Sequence, residues 1–413
     1  MKDHLNYSSK IGVATKRDIK GFLLLLFTLL FGVAFPQAEK MKHSSETTIK
    51  LFLAGDVMTG RGIDQALPHS VPPVLYESYV KDARDYIQIA ERENGNIKTP
   101  LSYEYVWGDA LGVWKNEAPD LKLVNLETSI TTYDEPWPRK GIHYRMHPRN
   151  VQLLTIADID HVSLANNHML DWSRPGLKQT ISALGSARIP FSGAGMNATE
   201  AGKPSVLQQG DKRILIFSYG AANSGIPSTW AAGEDESGVN YLSGFGKDEI
   251  EKVRKEIRSY KKPGDLVIFS IHWGGNWGYA IPDEHRNFAH ELFDEAGVDL
   301  ILGHSSHHPL GLEVYNNKLI IYGAGDFIND YEGIRGHDQY RPELSLMYFP
   351  ELDMENGNLH SLKMMPVEIK RFSLNHASKE QGNWLKDVLT REGKEFGTDV
   401  SRDENGALWL EWE

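Results

Sequence analysis

Five short apolar runs in this chain each stop abruptly at a polar cluster. Leu51–Ala54 runs into Gly55-Asp56, Leu121–Val124 into Asn125-Leu126-Glu127, and Val162–Ala165 into Asn166-Asn167-His168-Met169-Leu170-Asp171. Leu266–Ile271 runs into His272-Trp273-Gly274-Gly275, and Asp299–Leu302 into Gly303-His304-Ser305-Ser306-His307-His308. Short apolar runs without a helical period read as buried strands. Between them the period changes to 3.6, which predicts helices over 107–115, 151–157, 175–188, 247–261 and 283–296. Pro175 sits in the first turn of the third, and Gly297 stops the last, whose Phe288, Leu292 and Ala296 share a face. A hairpin over 205–208 and 213–217 turns at Gly210-Asp211. Strands follow at 312–315, 319–322, 345–352 and 359–368, then a closing helix over 378–391. Alternating βα units followed by antiparallel strands give an α/β protein, as a mixed sheet or a two-sheet sandwich flanked by helices.

The first strand spans about 48–56. The stretch 68–103 after it, rich in Tyr, Asp and Pro, is too long for an ordinary connection. It reads equally as a lid on the substrate side or as an insertion with a short helix of its own. The main domain is taken as 48–335, with 336–413 completing it.

The N-terminus differs in kind. Behind a mostly basic flank, Gly21–Phe35 is uncharged and mostly apolar, and Pro36-Gln37-Ala38 follows. The run is short for a spanning helix, which needs about 20 residues. Residues 1–38 therefore read as a signal peptide or an uncleaved signal anchor, and 39–47 as a linker. The expected location is exported: periplasmic or extracellular, secreted or anchored to the cytoplasmic membrane. The formal net charge is −12, which gives no electrostatic footprint for nucleic acid. The absence of cysteine excludes disulfides, thiol nucleophiles and Cys-ligated zinc.

Asp, Glu, Asn and His delivered at five strand ends are the ligand set of a hard or borderline divalent cation. Strand carboxyl ends are also where open α/β sheets meet their ligands. His304, His307 and His272 supply imidazoles, and Asp56 and Glu127 carboxylates. Asn167 supplies an amide oxygen. His168 is the candidate for protonating a leaving group, with Asp171 to orient it or to cap a helix. Arg61 is placed either to hold an anionic group through its fork or to form a plain ion pair. Asn125 is a ligand or a local backbone partner, and Trp273 and Trp277 are a substrate wall or core. The set suffices for one or two ions of Mn, Fe or Zn, whose pairing would stabilise attacking and leaving oxygens.

Gly55-Asp56-Val57-Met58, Asn125-Leu126-Glu127, Ala165–His168, His272-Trp273-Gly274, Gly303–His307 and Tyr322–Ile328 occur in the order in which CapA-type poly-γ-glutamate capsule synthesis proteins carry them. The chain resembles that family over about 48–330. The family is in turn similar to calcineurin-like metallophosphoesterases, which implies a four-layer α/β/β/α sandwich with a dinuclear metal site. On that resemblance Asp56 is the first metal-binding aspartate and Glu127 (or Asn125) the bridging one. Asn167, His272, His304 and His307 are further ligands, and His168 is the general acid. Asn125, Asn166, Trp273 and Asp326 fall on the substrate side. Met58 stands where the phosphoesterase pattern has an imidazole, and Asp326 adds a carboxylate where family members often carry Asn. The resemblance implies an anionic polymer or a small phosphorylated substrate, and membrane-bound capsule synthesis partners. A metal-dependent hydrolase and a non-catalytic assembly component both stay open.

Overall fold

Side-chain parity along the strands sorts the interior into layers. In β1 (Thr48–Val57), Ile49, Leu51 and Leu53 join one apolar cluster, while Phe52 and Ala54 join another. The computed structural model describes residues 48–413, which belong to one compact unit. The apolar run 21–35, with its signal or anchor reading, lies outside the described residues. Among those described, no helix is long and apolar enough to cross a membrane.

The first sheet has β1 at its centre, paired in parallel with β2 (Leu121–Leu126), which pairs with β3 (His161–Ser163), which pairs with β4 (Phe191–Ser192). On the other side of β1 the antiparallel strands Leu344–Asp353 and Leu359–Ile369 continue the sheet, and Leu408–Trp412 and Thr398–Arg402 end it. The second sheet is built on β5 (Lys212–Ala221), β6 (Leu266–His272) and β7 (Leu300–His304), parallel to one another, with Lys318–Ile321 parallel to β7. A short strand, β8 (Asp326–Ile328), returns to the first sheet beside β1.

The two sheets face each other. Leu51, Leu53, Leu121 and Leu123 of the first pack with Ile214, Ile216, Leu266, Ile268 and Leu302 of the second. The outer face of the first sheet is covered by helices that supply Trp107, Trp114, Leu153 and Leu177. That of the second is covered by Ile250, Val253 and Ile257 of one helix and Phe288 and Leu292 of another. Each large apolar side chain so buried contributes about 1.5–3 kcal/mol, so the inter-sheet layer fixes how the two sets of strand ends meet. This is a mixed α/β fold with helices outside two sheets.

Several elements differ from expectation. The helix over 107–115 is two helices, Tyr103–Trp107 and Ala110–Glu117, broken at Gly108 (φ 47°). A Cβ on Gly108 would stand 2.2 Å from the Leu374 carbonyl oxygen, a long-range contact that no local pattern signals. Residues Leu292–Ala296 widen into a π turn at the end of the helix that begins at Asp283. The helix Lys379–Gly393 does not close the chain, because the hairpin Thr398–Arg402 and Leu408–Trp412 follows it. The 68–103 excursion carries the helix Arg84–Asn94, and its Glu77, Tyr79 and Tyr86 reach the site region.

Candidate metal centre

The parallel register brings the polar strand ends to one edge. Asp56 on β1 pairs with Asn125 on β2 and with Asp326 on β8, and His272 on β6 pairs with His304 on β7. The inter-sheet face of β6 reads Leu266, Ile268, Ser270, His272, apolar below and polar at the top. Gly303 lets β7 come close to its neighbour: a Cβ there would meet the Tyr322 carbonyl oxygen at 2.2 Å. Ser305 adopts a positive φ of 101°, and its amide donates to Asp56 Oδ2 at 3.2 Å.

Two groups of possible ligands result among the described residues, and both contain Asp56. Asp56, His272 and His304 form one, and Asp56, His307 and Asp326 the other; within each, the ligand atoms lie within 4.8 Å of one another. In the first, Asp56 Oδ1 is 3.9 Å from His272 Nδ1 and 3.8 Å from His304 Nδ1, and the two Nδ1 atoms are 2.8 Å apart. In the second, His307 Nδ1 is 2.8 Å from Asp326 Oδ1. Asp326, expected on the substrate side, falls instead in the second group of possible ligands. The carboxylate shared by the two groups is Asp56, not Glu127. Glu127 faces them from just beyond β2, its Oε1 3.9 Å from both His272 Nε2 and His168 Nε2.

The electrostatics fit a cation. Glu127 Oε2 is buried without a hydrogen-bond partner, a costly state for a carboxylate oxygen. Burial, then repulsion from Asp56 and Asp326, pushes the Glu127 carboxyl well above its usual range. Burial, then Asp326, raises Asp56 to about 7 against the hydrogen bond from Asn125. Burial disfavours charge on His307, but Asp326 and Asp56 outweigh it and hold the imidazole above its ordinary value. Burial holds His272 well below its ordinary value and His304 down to about 3, so both rings are neutral and of ligand type.

His168 stands at the mouth. Its Nδ1 lies 2.6 Å from Asp171 Oδ2, which also accepts from the Tyr144 amide at 2.6 Å, and Lys140 Nζ is 2.7 Å from Asp171 Oδ1. Asp171 therefore orients the imidazole and caps no helix. Stacked on Tyr144 at 3.9 Å, the ring directs Nε2 toward Glu127. Burial, then Lys140, keeps His168 well below its ordinary pKa. Asn167 Oδ1 is 3.1 Å from His272 Nε2.

Four assignments change. Arg61 has no free fork for an anion, because it is buried with Nε and a second nitrogen on Asp330 and the third on Glu77 (2.9 Å) and Tyr86 (2.8 Å). Trp273 is core rather than wall: its Nε1 donates to the Tyr322 carbonyl and its ring stacks on His285 at 4.5 Å. Asn125 donates to Asp56 Oδ1 at 2.6 Å. Asn166 donates to Asn125 and the Leu126 carbonyl and accepts from the His168 amide. Both amides position other site residues and contact no open space.

The opening above His168 is a cavity of about 190 Å³ lined by Tyr79, Ile142, Tyr144, Trp277, His307, Tyr331 and His337, with Arg61 beneath. Trp277 is the tryptophan at the wall, stacked on His337 at 4.0 Å. Among the described residues, Arg61 is the only Lys or Arg that lines this cavity, and its charge is spent on Asp330 and Glu77. Of the basic residues in the segment 139–149, Lys140 pairs with Asp171 and Arg145 lies over Trp172 at 3.6 Å; Arg139 and Arg149 are exposed.

Comparison with known proteins covers most of these residues. The family model described as bacterial capsule synthesis protein PGA_cap matches residues 50–331. Over 354 residues the chain is 44% identical to a probable polyglutamine synthesis accessory protein of Mycobacterium tuberculosis, spanning 85% of this chain and 93% of that one. It is 23% identical over 351 residues to the PGA biosynthesis protein CapA of Bacillus subtilis, spanning 82% and 81%. A crystal structure described as a novel phosphatase of Mycoplasma pneumoniae overlaps 78% of this chain and 94% of that one, at 12% identity and a TM-score of 0.40. That likeness is too weak to argue from.

Proposed function

Since the chain belongs to the bacterial capsule synthesis protein family PGA_cap, we propose that it is an exported accessory of poly-γ-glutamate or related envelope-polymer synthesis, working through a divalent-metal centre. The observation that carries this reading is the pair of ligand groups sharing Asp56, with the unpartnered Glu127 oxygen beside them. Asp56, His272 and His304 would hold one ion, and Asp56, His307 and Asp326 a second; Mn, Fe or Zn suits such N/O ligands. A bound divalent cation supplies Lewis acidity and lowers the pKa of coordinated water. The chain's own part is to keep His168 neutral, with Nδ1 on Asp171 and Nε2 facing the centre, where it can exchange a proton with a reacting group. The arrangement of two facing sheets with helices outside agrees with the four-layer sandwich of metallophosphoesterases.

A second reading, a metal-dependent phosphoesterase on an exported phosphorylated substrate, is favoured by the small cavity, which suits a compact ligand. The two readings separate in a screen of protein loaded with Mn²⁺ or Zn²⁺ against γ-glutamyl amides and phosphoesters. His168→Ala is expected to retain metal and lose about 10²–10⁴-fold in rate on whichever class is turned over. Metal-loaded protein inert on both classes would leave a non-catalytic assembly role beside membrane-bound capsule synthesis partners. Export through residues 1–38 is tested by N-terminal sequencing of the protein recovered from the cell envelope or medium.

A further inference from the structure

The extended run His143-Tyr144-Arg145 presents its side chains to two sides. Tyr144 stacks on His168, while its neighbours turn the other way onto Trp172. Arg145 Cζ stands 3.6 Å from the Trp172 ring centroid, and the His143 ring lies 5.8 Å from it. Arg145, His143 and Trp172 are each at most 5% exposed. Trp172 directly follows Asp171, the partner of His168, so this group adjoins the candidate centre.

The polar atoms of the group are incompletely satisfied. Arg145 makes no ion pair among the described residues: one terminal nitrogen donates to the Tyr133 carbonyl at 2.7 Å and the other to the Pro72 carbonyl at 3.2 Å. A guanidinium has five N–H donors, so three are left over, and an enclosed charge without a counter-charge is costly. Asp64, the acid that acts on Arg145 most strongly, is already committed. It accepts from the His147 amide at 2.7 Å, the Val71 amide at 2.8 Å and the Asn150 side chain at 3.0 Å. Trp172 Nε1 is a buried donor with no acceptor, and His143 Nδ1 is buried without a partner. Burial holds the His143 ring below its ordinary pKa, so it is neutral. Its Nε2 lies 3.2 Å from the Trp137 carbonyl oxygen, which can only accept, so the ring proton sits there and Nδ1 is an open acceptor.

One cation, one N–H donor and one acceptor are therefore spare in a single cluster. A carboxylate answers the first two through charge-assisted hydrogen bonds, and an N–H answers the third. An N-acylated α-amino acid carries both groups on one carbon. We propose that Arg145, Trp172 and His143 form a subsite for the carboxylate and the amide N–H of an N-acyl amino-acid residue, with Tyr76 as its cover. The Tyr76 ring lies 5.6 Å from His143 and 6.2 Å from Trp172 and is 45% exposed, so it can swing outward without leaving a core. The excursion that carries Tyr76 also places Tyr79 at the cavity above His168. Poly-γ-glutamate repeats the same pair of groups at every unit. Naming that polymer as the ligand rests on the function proposed above, and the subsite itself does not.

The test uses metal-free protein and N-acetylglutamine, which reproduces one γ-linked unit with its acylated nitrogen, free α-carboxylate and side-chain amide. The Trp172 indole N–H is followed by ¹⁵N NMR and assigned by Trp172→Phe. The wild type is expected to show a saturable shift of that signal. Calorimetry should find no measurable affinity in Arg145→Met. Trp172→Phe keeps a ring under the guanidinium and should bind about 10-fold more weakly, the worth of one hydrogen bond to a charged group. The methyl ester of the probe, which lacks the charge, should not bind, and its N-methyl derivative should bind several-fold more weakly. An unmoved Trp172 signal, equal binding of either derivative, or wild-type affinity in Trp172→Phe would overturn the subsite, the last even where Arg145→Met fails to fold. N-acetylglutamine bound here while longer γ-linked oligomers bind no more tightly would support the subsite and contradict the polymer as its ligand. A guanidinium that only packs on Trp172 would lower the melting temperature when replaced and leave the indole signal indifferent to the probe.

Discussion

Asp56 is where sequence, structure and chemistry meet. It ends an apolar run, pairs in register with Asn125 and Asp326, and belongs to both ligand groups. Its raised pKa of about 7, set by burial and then by Asp326, has a consequence for stability. Between the unfolded value near 3.8 and about 7 the metal-free folded protein holds a proton that the unfolded chain releases, so this contribution is complete at low pH and lost as pH rises through 7. The stability of wild type relative to Asp56→Asn should fall over pH 4–7, by no more than about 1.4 kcal/mol per pH unit, one proton's worth. Denaturant melts of both proteins without metal measure it, and parallel profiles would contradict it. Taking the difference cancels the buried histidines, whose lowered pKa values act in the opposite direction. Arg61 makes the complementary case. Its partners Asp330 and Glu77 are buried with it, so Arg61→Met should cost about 3–5 kcal/mol. A variant with wild-type stability would restore the anion-holding role. The possible ligands Asp56, His272 and His304 were legible because each stands at or just past the end of an apolar run, whereas Asp326 follows a glycine-rich turn and was expected on the substrate side. For Arg61 and Trp273 the sequence left two roles open, because the groups that occupy them, Asp330 and the Tyr322 carbonyl, are distant in sequence.

At the scale of elements, the site depends on how closely strands approach. The Asp56 amide donates to the Gly325 carbonyl at 3.2 Å, and a Cβ on Gly55 would fall 2.0 Å from that oxygen. Gly55→Ala must push β1 from the turn before β8 and carry Asp56 away from Asp326. It is expected to destabilise the fold and abolish cation binding, read by thermal melting with and without Mn²⁺. Gly112→Ala, in an exposed helix position with nothing within 4 Å of the new methyl, should instead be neutral or stabilise by up to about 1 kcal/mol. Comparable losses in both would contradict a role for close approach. The long strands and the charged helix Lys247–Tyr260 were visible as periodicity. The break at Gly108 and the pairing of Thr398–Arg402 with Leu408–Trp412 were not, because the first answers a contact with Leu374 and the second joins two strands of only five residues.

For the whole molecule, the sheets act as two halves of one holder. The first brings Asp56, Glu127 and Asp326, and the second His272, His304 and, just beyond β7, His307. The inter-sheet core of leucines and isoleucines sets their spacing. The order of motifs was enough to indicate the family, whereas the shared role of Asp56 needed the packing of both sheets. Metal content of the purified protein tests this account most directly, measured for the wild type, His304→Ala and Asp326→Asn after incubation with Mn²⁺ or Zn²⁺. The account predicts about two equivalents in the wild type, as for paired-metal sites, and the loss of about one in each variant. A wild type that holds no cation, or a His304→Ala protein that retains its full complement, would contradict it.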